Sequence, residues 1–131
     1  MRLLLDTHIW VWSVLAPERL TRRVRAALAK PDVEAWLSPI SVWELLNLIE
    51  RGRVTVAGDP EAWMDDALRV GAFREAPLTH AVARESHRVA LPYPDPADRF
   101  LVATARVLDL TLVTADARLL AAKPCPVLPN R

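Results

Sequence analysis

Five carboxylates stand where a chain of alternating strands and helices would gather them: Asp6, Glu44, Asp95, Asp98 and Asp116. Asp6 follows the apolar run Arg2–Leu5 directly. Asp95 and Asp98 open an amphipathic stretch that runs on to Leu108, and Asp116 closes the β-branched run Thr111–Thr114. In a parallel sheet, groups just past the carboxyl ends of strands line the crevice where ligands bind. Carboxylates drawn together there repel one another, so the arrangement is costly unless a cation compensates it. An all-oxygen set of this kind selects a hard ion, magnesium or manganese, over zinc.

The other metal-ligating residues do not join a zinc pattern. His80 and His87 lie seven apart on one expected helix and suit surface or core positions; His8, near Asp6, suits packing. The single cysteine, Cys125 between two prolines, can build neither a disulfide framework nor a cysteine zinc site within one chain.

Each acid also has a capping role to play instead. Asp6 can cap a helix starting near His8, and Asp116 can cap Ala117–Ala122. Either Asp95 or Asp98 can cap the helix that follows. Ser41-Val42-Trp43-Glu44 fits a capping box, although Ser38-Pro39 offers an earlier start that leaves Glu44 a turn further in. Taken together, these roles would place an acid at nearly every turn on the sheet edge, where Ser, Thr or Asn serve as well. That coincidence favours a shared site.

The elements that must position these groups follow from apolar periodicity and punctuation. Arg2–Leu5 reads as a buried first strand. A helix follows over His8–Leu15, with Ile9, Trp12, Val11 and Leu15 inward, ended by Pro17. Thr21 caps a helix with Leu20, Val24, Ala27 and Leu28 on one side. Val33–Leu37 is a second strand. Ser41–Arg51 is an amphipathic helix with Val42, Leu45, Leu46 and Ile49 on its core face and Gly52 just past its end. Val54–Val56 reads as a minor extended piece, Pro60–Val70 as a helix and Phe73–Ala76 as a strand. Thr79 caps a helix reaching Val89. The last helix before Thr111–Thr114 carries Phe100, Leu101, Thr104, Val107 and Leu108 inward, and Val127–Leu128 is a final short strand. The alternation predicts an α/β/α sandwich around a central parallel sheet, within one domain spanning 1–131.

Composition narrows the function classes. Apolar residues make up 52% and charged residues 25%, which is ordinary for a folded domain. No apolar run approaches the ~18 residues of a membrane span, and the start lacks the pattern of an export signal, so a cytoplasmic protein is expected. With only three glycines, Gly52, Gly58 and Gly71, there is neither a phosphate-binding glycine loop nor a dinucleotide fingerprint. No Gly-x-Ser-x-Gly elbow is present. An aspartyl-phosphate phosphatase would place a second aspartate where His8 stands. Net charge is only +1, yet 15 of the 17 basic residues are arginine. Arg22, Arg23 and Arg25 cluster on one expected helix, where they serve either as phosphate contacts or as a solvated face.

At this point the chain resembles the PIN-domain ribonucleases and, among them, the VapC-type toxins of toxin–antitoxin pairs. The matching stretches run in order over essentially the whole chain: LLLDTH with Asp6, SVWEL with Glu44, DPADRFLVATA with Asp98, and LVTAD with Asp116. The resemblance implies a three-layer fold, a Mg²⁺ or Mn²⁺ site and endonucleolytic RNA cleavage by metal-activated water, leaving a 5′-phosphate and a 3′-hydroxyl. It also implies a homodimer and an inhibitory VapB-like antitoxin. Residue by residue, Asp6, Glu44, Asp98 and Asp116 match the acidic quartet, and Asp95 an additional acid. Thr114 matches a hydroxyl that supports the last acid. Asp109-Leu110 departs from the glycine with which relatives often end that helix, and reads as a change of cap. Arg99, beside Asp98, serves either as a contact to the scissile strand or as a packing and ion-pair residue. Some of the five tryptophans could stack on bases or receive an antitoxin helix. Two rival readings are a PIN-like module that binds RNA or a partner without cutting, and a metal-dependent phosphatase.

Overall fold

A computed structural model describes the chain from Met1 to Arg131. Five parallel strands form one sheet: β1 (Arg2–Leu5), β2 (Glu34–Leu37), β3 (Arg74–Glu75), β4 (Thr111–Thr114) and β5 (Val127–Pro129). Their spatial order is β3-β2-β1-β4-β5. The order reverses at β1, whose neighbours are β2 and β4, with Leu4 opposite Trp36 on one side and Leu112 on the other. A crevice at the carboxyl ends of the strands is expected at such a reversal.

Seven helices cover both faces: α1 (Thr7–Leu15), α2 (Arg22–Ala29), α3 (Pro39–Glu50), α4 (Pro60–Val70), α5 (His80–Ser86), α6 (Pro96–Leu108) and α7 (Ala117–Ala122). Because successive strand residues point to opposite faces, β1 feeds two cores at once. Leu3 and Leu5 join α1, α2, α3 and α4 side chains such as Ile9, Val24, Leu45 and Met64. Leu4 joins Val82 of α5, Leu101 and Val102 of α6, and Leu119 of α7 on the other face. Burial on both faces is why Leu3, Leu4 and Leu5 form an unbroken apolar run, and each contributes about 1.5–3 kcal/mol by leaving water. This is the three-layer α/β/α sandwich that the alternation of elements predicts.

Several local expectations are corrected. Val54–Val56 is not a strand: Gly52 and Gly58 turn the chain on either side with φ of 73° and 74°, and Val54 packs against the core without a strand partner. Leu15, Leu46 and Val107 are exposed rather than inward, while Trp10, unassigned from the pattern, is fully buried. The helix capped by Thr79 stops at Ser86, short of Val89. Asp109 does end α6, in the left-handed conformation with φ 55° that Asp tolerates better than most residues. No helix is long and apolar enough to cross a membrane.

Candidate active site

Five expected acids line one open cleft of about 320 Å³, together with Thr7, His8, Trp12, Ala115 and Arg118. The backbone explains their meeting. Asp6 and Asp116 lie just beyond the carboxyl ends of β1 and β4, two adjacent strands. Glu44 projects from α3, which leaves the end of β2. Asp95 and Asp98 stand at the start of α6, which runs back across the sheet to deliver β4.

Capping and site duty coincide. Asp6 caps α1 by accepting from Thr7 N at 2.7 Å, Asp95 caps α6 by accepting from Asp98 N at 3.0 Å, and Asp116 caps α7 by accepting from Arg118 N at 2.8 Å. The two readings of these acids are therefore compatible, because a cap uses one carboxylate oxygen and leaves the other. Glu44 is no cap. Ser38 starts α3 by accepting from Ile40 N, with Pro39 as the first helical residue, so the Ser41–Glu44 capping box does not form.

Hydroxyls hold the acids in place. Thr114 Oγ1 donates to Asp6 Oδ2 at 2.7 Å and accepts from Asp116 N at 3.0 Å. It thus supports the first acid through its side chain and the last through its backbone. Thr7 Oγ1 donates to Glu44 Oε1 at 2.6 Å and lies 3.0 Å from Ser41 Oγ. Tyr93 donates to Asp98 Oδ2 at 3.0 Å.

The electrostatics show uncompensated negative charge. Burial, above all, raises the pKa of Asp6, with the charge of Asp116 adding to it and hydrogen bonds from Thr114 and Thr7 opposing it. Burial likewise raises Glu44, against the hydrogen bond from Thr7. Asp98 is pushed up to about 7 by burial and then by the charges of Asp95 and Asp6. Asp116 alone moves down, because Arg118 grips it at 3.3 Å through Nε and 3.0 Å through Nη2.

That pattern bears on whether a divalent cation fits. The donors are all hard oxygens, and three of the four quartet acids carry raised pKa values that a cation would bring back down. As the side chains stand, no three of them are gathered closely enough to hold an ion. Glu44, Asp98 and Asp116 each have a protein partner of their own, in Thr7, Tyr93 and Arg118. The donor chemistry fits; closing on an ion requires these side chains to turn from their present partners.

The expected arginines behave differently. Arg99 donates from Nε and Nη2 to Ser86 O at 3.2 and 3.0 Å, tying α6 to α5. It lines an adjoining cavity with Tyr93 and Asp95 rather than the acidic cleft, so its guanidinium serves packing here. Arg22, Arg23 and Arg25 are exposed on α2, and none lines the cleft. Sequence reasoning missed Thr7, Tyr93 and Arg118. Thr7 directly follows Asp6, Arg118 stands two residues past Asp116, and Tyr93 is the only tyrosine, five residues before Asp98. Those offsets were the available signals.

Of the tryptophans, Trp10 is buried, and Trp36 donates to Glu34 Oε1 at 3.2 Å and lies beneath Arg2 and Arg74. Trp43 is 56% exposed.

Known proteins resemble this chain in sequence and in fold. The model of the PIN domain matches residues 3–123. Ribonuclease VapC22 of Mycobacterium tuberculosis is 36% identical over 119 residues, 88% of this chain and 88% of its own. Two solved structures share the fold at low identity. A chain of VapBC2 from Rickettsia felis bound to a promoter DNA fragment superposes with a TM-score of 0.71 at 12% identity, covering 98% of both chains. FitAcB from Neisseria gonorrhoeae gives 0.66 at 23%, covering 98% of this chain and 97% of its own. The family match over residues 3–123 and the 36% identity over most of the chain identify it as a member of the PIN-domain family, of the VapC type.

Proposed function

We propose that this chain is a Mg²⁺- or Mn²⁺-dependent endoribonuclease acting as the toxin of a VapBC-type pair. The observation that carries the reading is the convergence of Asp6, Glu44, Asp95, Asp98 and Asp116 from four separate parts of the fold on one open cleft. The ribonuclease named among its relatives supports it.

Asp6, Glu44, Asp98 and Asp116 would hold the cation, with Asp95 beside them. A bound divalent cation supplies charge compensation for the phosphate and acidifies water, the nucleophile of the reaction. The chain's own contribution is orientation. Thr114 and the Thr7 backbone fix both oxygens of Asp6, while the Thr7 hydroxyl and Tyr93 hold Glu44 and Asp98 at the cleft until a cation draws them inward. No serine or cysteine lines the cleft, and Thr7, its one hydroxyl, is committed to Glu44. In this reading water is the attacking group, and the side chains bind, orient and tune charge around it.

The partners in this reading are RNA, a VapB-like antitoxin and a second copy of the chain, in a cytoplasmic setting. Two apolar faces support protein contacts. One groove runs between α3 and the start of α6, lined by Ile40, Trp43, Leu78 and Phe100. The other lies by α1 and α4, where Val70 is 75% exposed beside Val14. Light scattering of the chain alone, and with a candidate VapB-like antitoxin, tests both partners.

The direct test of the activity is incubation of the purified protein with RNA in Mg²⁺, in Mn²⁺ and in EDTA. Internal cleavage is expected with metal and not with EDTA. Asp6→Asn and Asp98→Asn should each abolish it while circular dichroism stays that of the folded protein. Cleavage unchanged in either variant overturns the site assignment.

A further inference from the structure

Arg118 is the only arginine or lysine lining the acidic cleft. Its guanidinium grips both oxygens of Asp116, and its carbon lies 4.0 Å over the Tyr93 ring. That ring's hydroxyl in turn donates to Asp98 Oδ2 at 3.0 Å. One continuous path of contacts, Asp116–Arg118–Tyr93–Asp98, therefore links two of the acids of the cleft. The Arg118 side chain is 55% exposed and sits on a helix of six residues, so little packing confines it to this one position.

We propose that Arg118 is the phosphate-binding residue of this cleft and, before the cleft is filled, the counter-ion of Asp116. The inference rests on the nuclease reading above and adds to it the residue that receives the substrate's charge. The physical argument is one of matching partners. A guanidinium presents a planar fork suited equally to a carboxylate and to a phosphate. While no cation is present, Asp116 is the nearest pair of anionic oxygens, and Arg118 takes it. A cation drawn to Asp116 competes with Arg118 for the same oxygens and frees the fork. The Tyr93 face holds the guanidinium at the rim as it is released, through cation–π attraction. The freed donors then face an entering RNA strand at the one point of the cleft wall that can offset its charge. Without Arg118, a polyanion would meet only acids, His8, Thr7 and the side chains of Trp12 and Ala115.

The two roles make opposite demands on one substitution, which makes the inference testable. Removing Arg118 should tighten metal binding while weakening substrate binding. Mn²⁺ is titrated calorimetrically into the RNA-free wild type, Arg118→Ala and Arg118→Lys. The expected result is tighter Mn²⁺ binding by Arg118→Ala, by up to about fivefold, the range of an exposed ion pair. In steady-state cleavage of a short RNA at saturating Mn²⁺, Arg118→Ala should raise KM far more than it lowers kcat. The slope of log KM against log salt should fall by about 0.7, one phosphate contact on a single strand. Arg118→Lys, which keeps the charge and loses the fork, should recover part of the KM and most of the salt slope. A merely structural Arg118 would leave the salt slope untouched. Mn²⁺ binding that weakens or stays the same in Arg118→Ala overturns the counter-ion role, and an unchanged KM and slope overturns the phosphate role. If neither wild type nor variant takes up Mn²⁺, the nuclease reading itself fails and takes this inference with it.

Discussion

Thr114 donates its hydroxyl proton to Asp6 across the β4–β1 pair at 2.7 Å, joining two strands that are adjacent in the sheet and more than a hundred residues apart in the chain. The same oxygen accepts from Asp116 N at 3.0 Å. One fully buried hydroxyl thus sets the first and last acids of the cleft relative to each other.

Thr114→Val should therefore act on both stability and metal binding. It leaves Asp116 N without an acceptor and Asp6 Oδ2 without a donor, which costs about 1–3 kcal/mol for a buried group. It also frees Asp6 to rotate, so Mn²⁺ affinity falls. Thr114→Ser should retain most of both. Urea denaturation in EDTA and calorimetric Mn²⁺ titration measure the two effects; a Val variant equal to wild type in both would contradict the role given to Thr114.

The raised carboxyl pKa values give the metal-free protein a definite pH dependence. Asp98 titrates at about 7 in the folded protein against 3.8 as its ordinary value. Between those values the folded state binds more protons than the unfolded chain, so stability falls as pH rises through that window and levels off above it. Asp6 and Glu44, also raised, act in the same direction. The urea midpoint in EDTA should accordingly drop from pH 5 to pH 7.5, and Asp98→Asn, which still accepts from Tyr93, should flatten the drop. A midpoint that climbs with pH over this range would contradict the electrostatic picture.

The arginines of α2 make a separate prediction. If Arg22, Arg23 and Arg25 track an RNA backbone outside the cleft, neutralising them together should weaken RNA binding. The salt dependence should flatten by about 0.7 per lost contact. Fluorescence anisotropy against salt, in EDTA so that no cleavage intervenes, reads both quantities. An unaltered slope assigns these residues to a solvated face.

The sequence carried the sheet well and the site's scaffolding poorly, for physical reasons visible in particular residues. Arg2–Leu5 and Thr111–Thr114 were legible to the residue because their buried centres, Leu3–Leu5 and Leu112–Val113, must be apolar on both faces, and Asp6 and Asp116 stand where the apolar runs have ended. The five acids were legible because carboxylates beside such strands have few other reasons to be there. Val54 and Val56 misled because β-branching suits any packed extended chain, and only the missing partner strand tells the two apart. Leu46 and Val107 lie on helical stripes that continue past the edge of the core, so periodicity alone could not say where burial stops. Tyr93 and Arg118 were missed because their contacts form in space. Arg118 meets a ring twenty-five positions earlier in the chain, a pairing that no local spacing encodes.

The central claim is that Asp6, Glu44, Asp98 and Asp116 form one cation site, and the melting temperature with and without metal tests it most directly. Wild type and Asp98→Asn are melted in EDTA and in millimolar Mg²⁺ or Mn²⁺. Binding stabilises the folded state by about 2.7 kcal/mol at a hundredfold excess over the dissociation constant. The account predicts a clear rise for wild type with metal and little or none for Asp98→Asn. In EDTA, Asp98→Asn should be as stable as wild type or more so, because it removes a buried charge from among like charges. If the acids were helix caps alone, both proteins would melt alike in all conditions, since Asn caps nearly as well as Asp. A wild-type melting temperature indifferent to both metals at millimolar concentration would contradict the account.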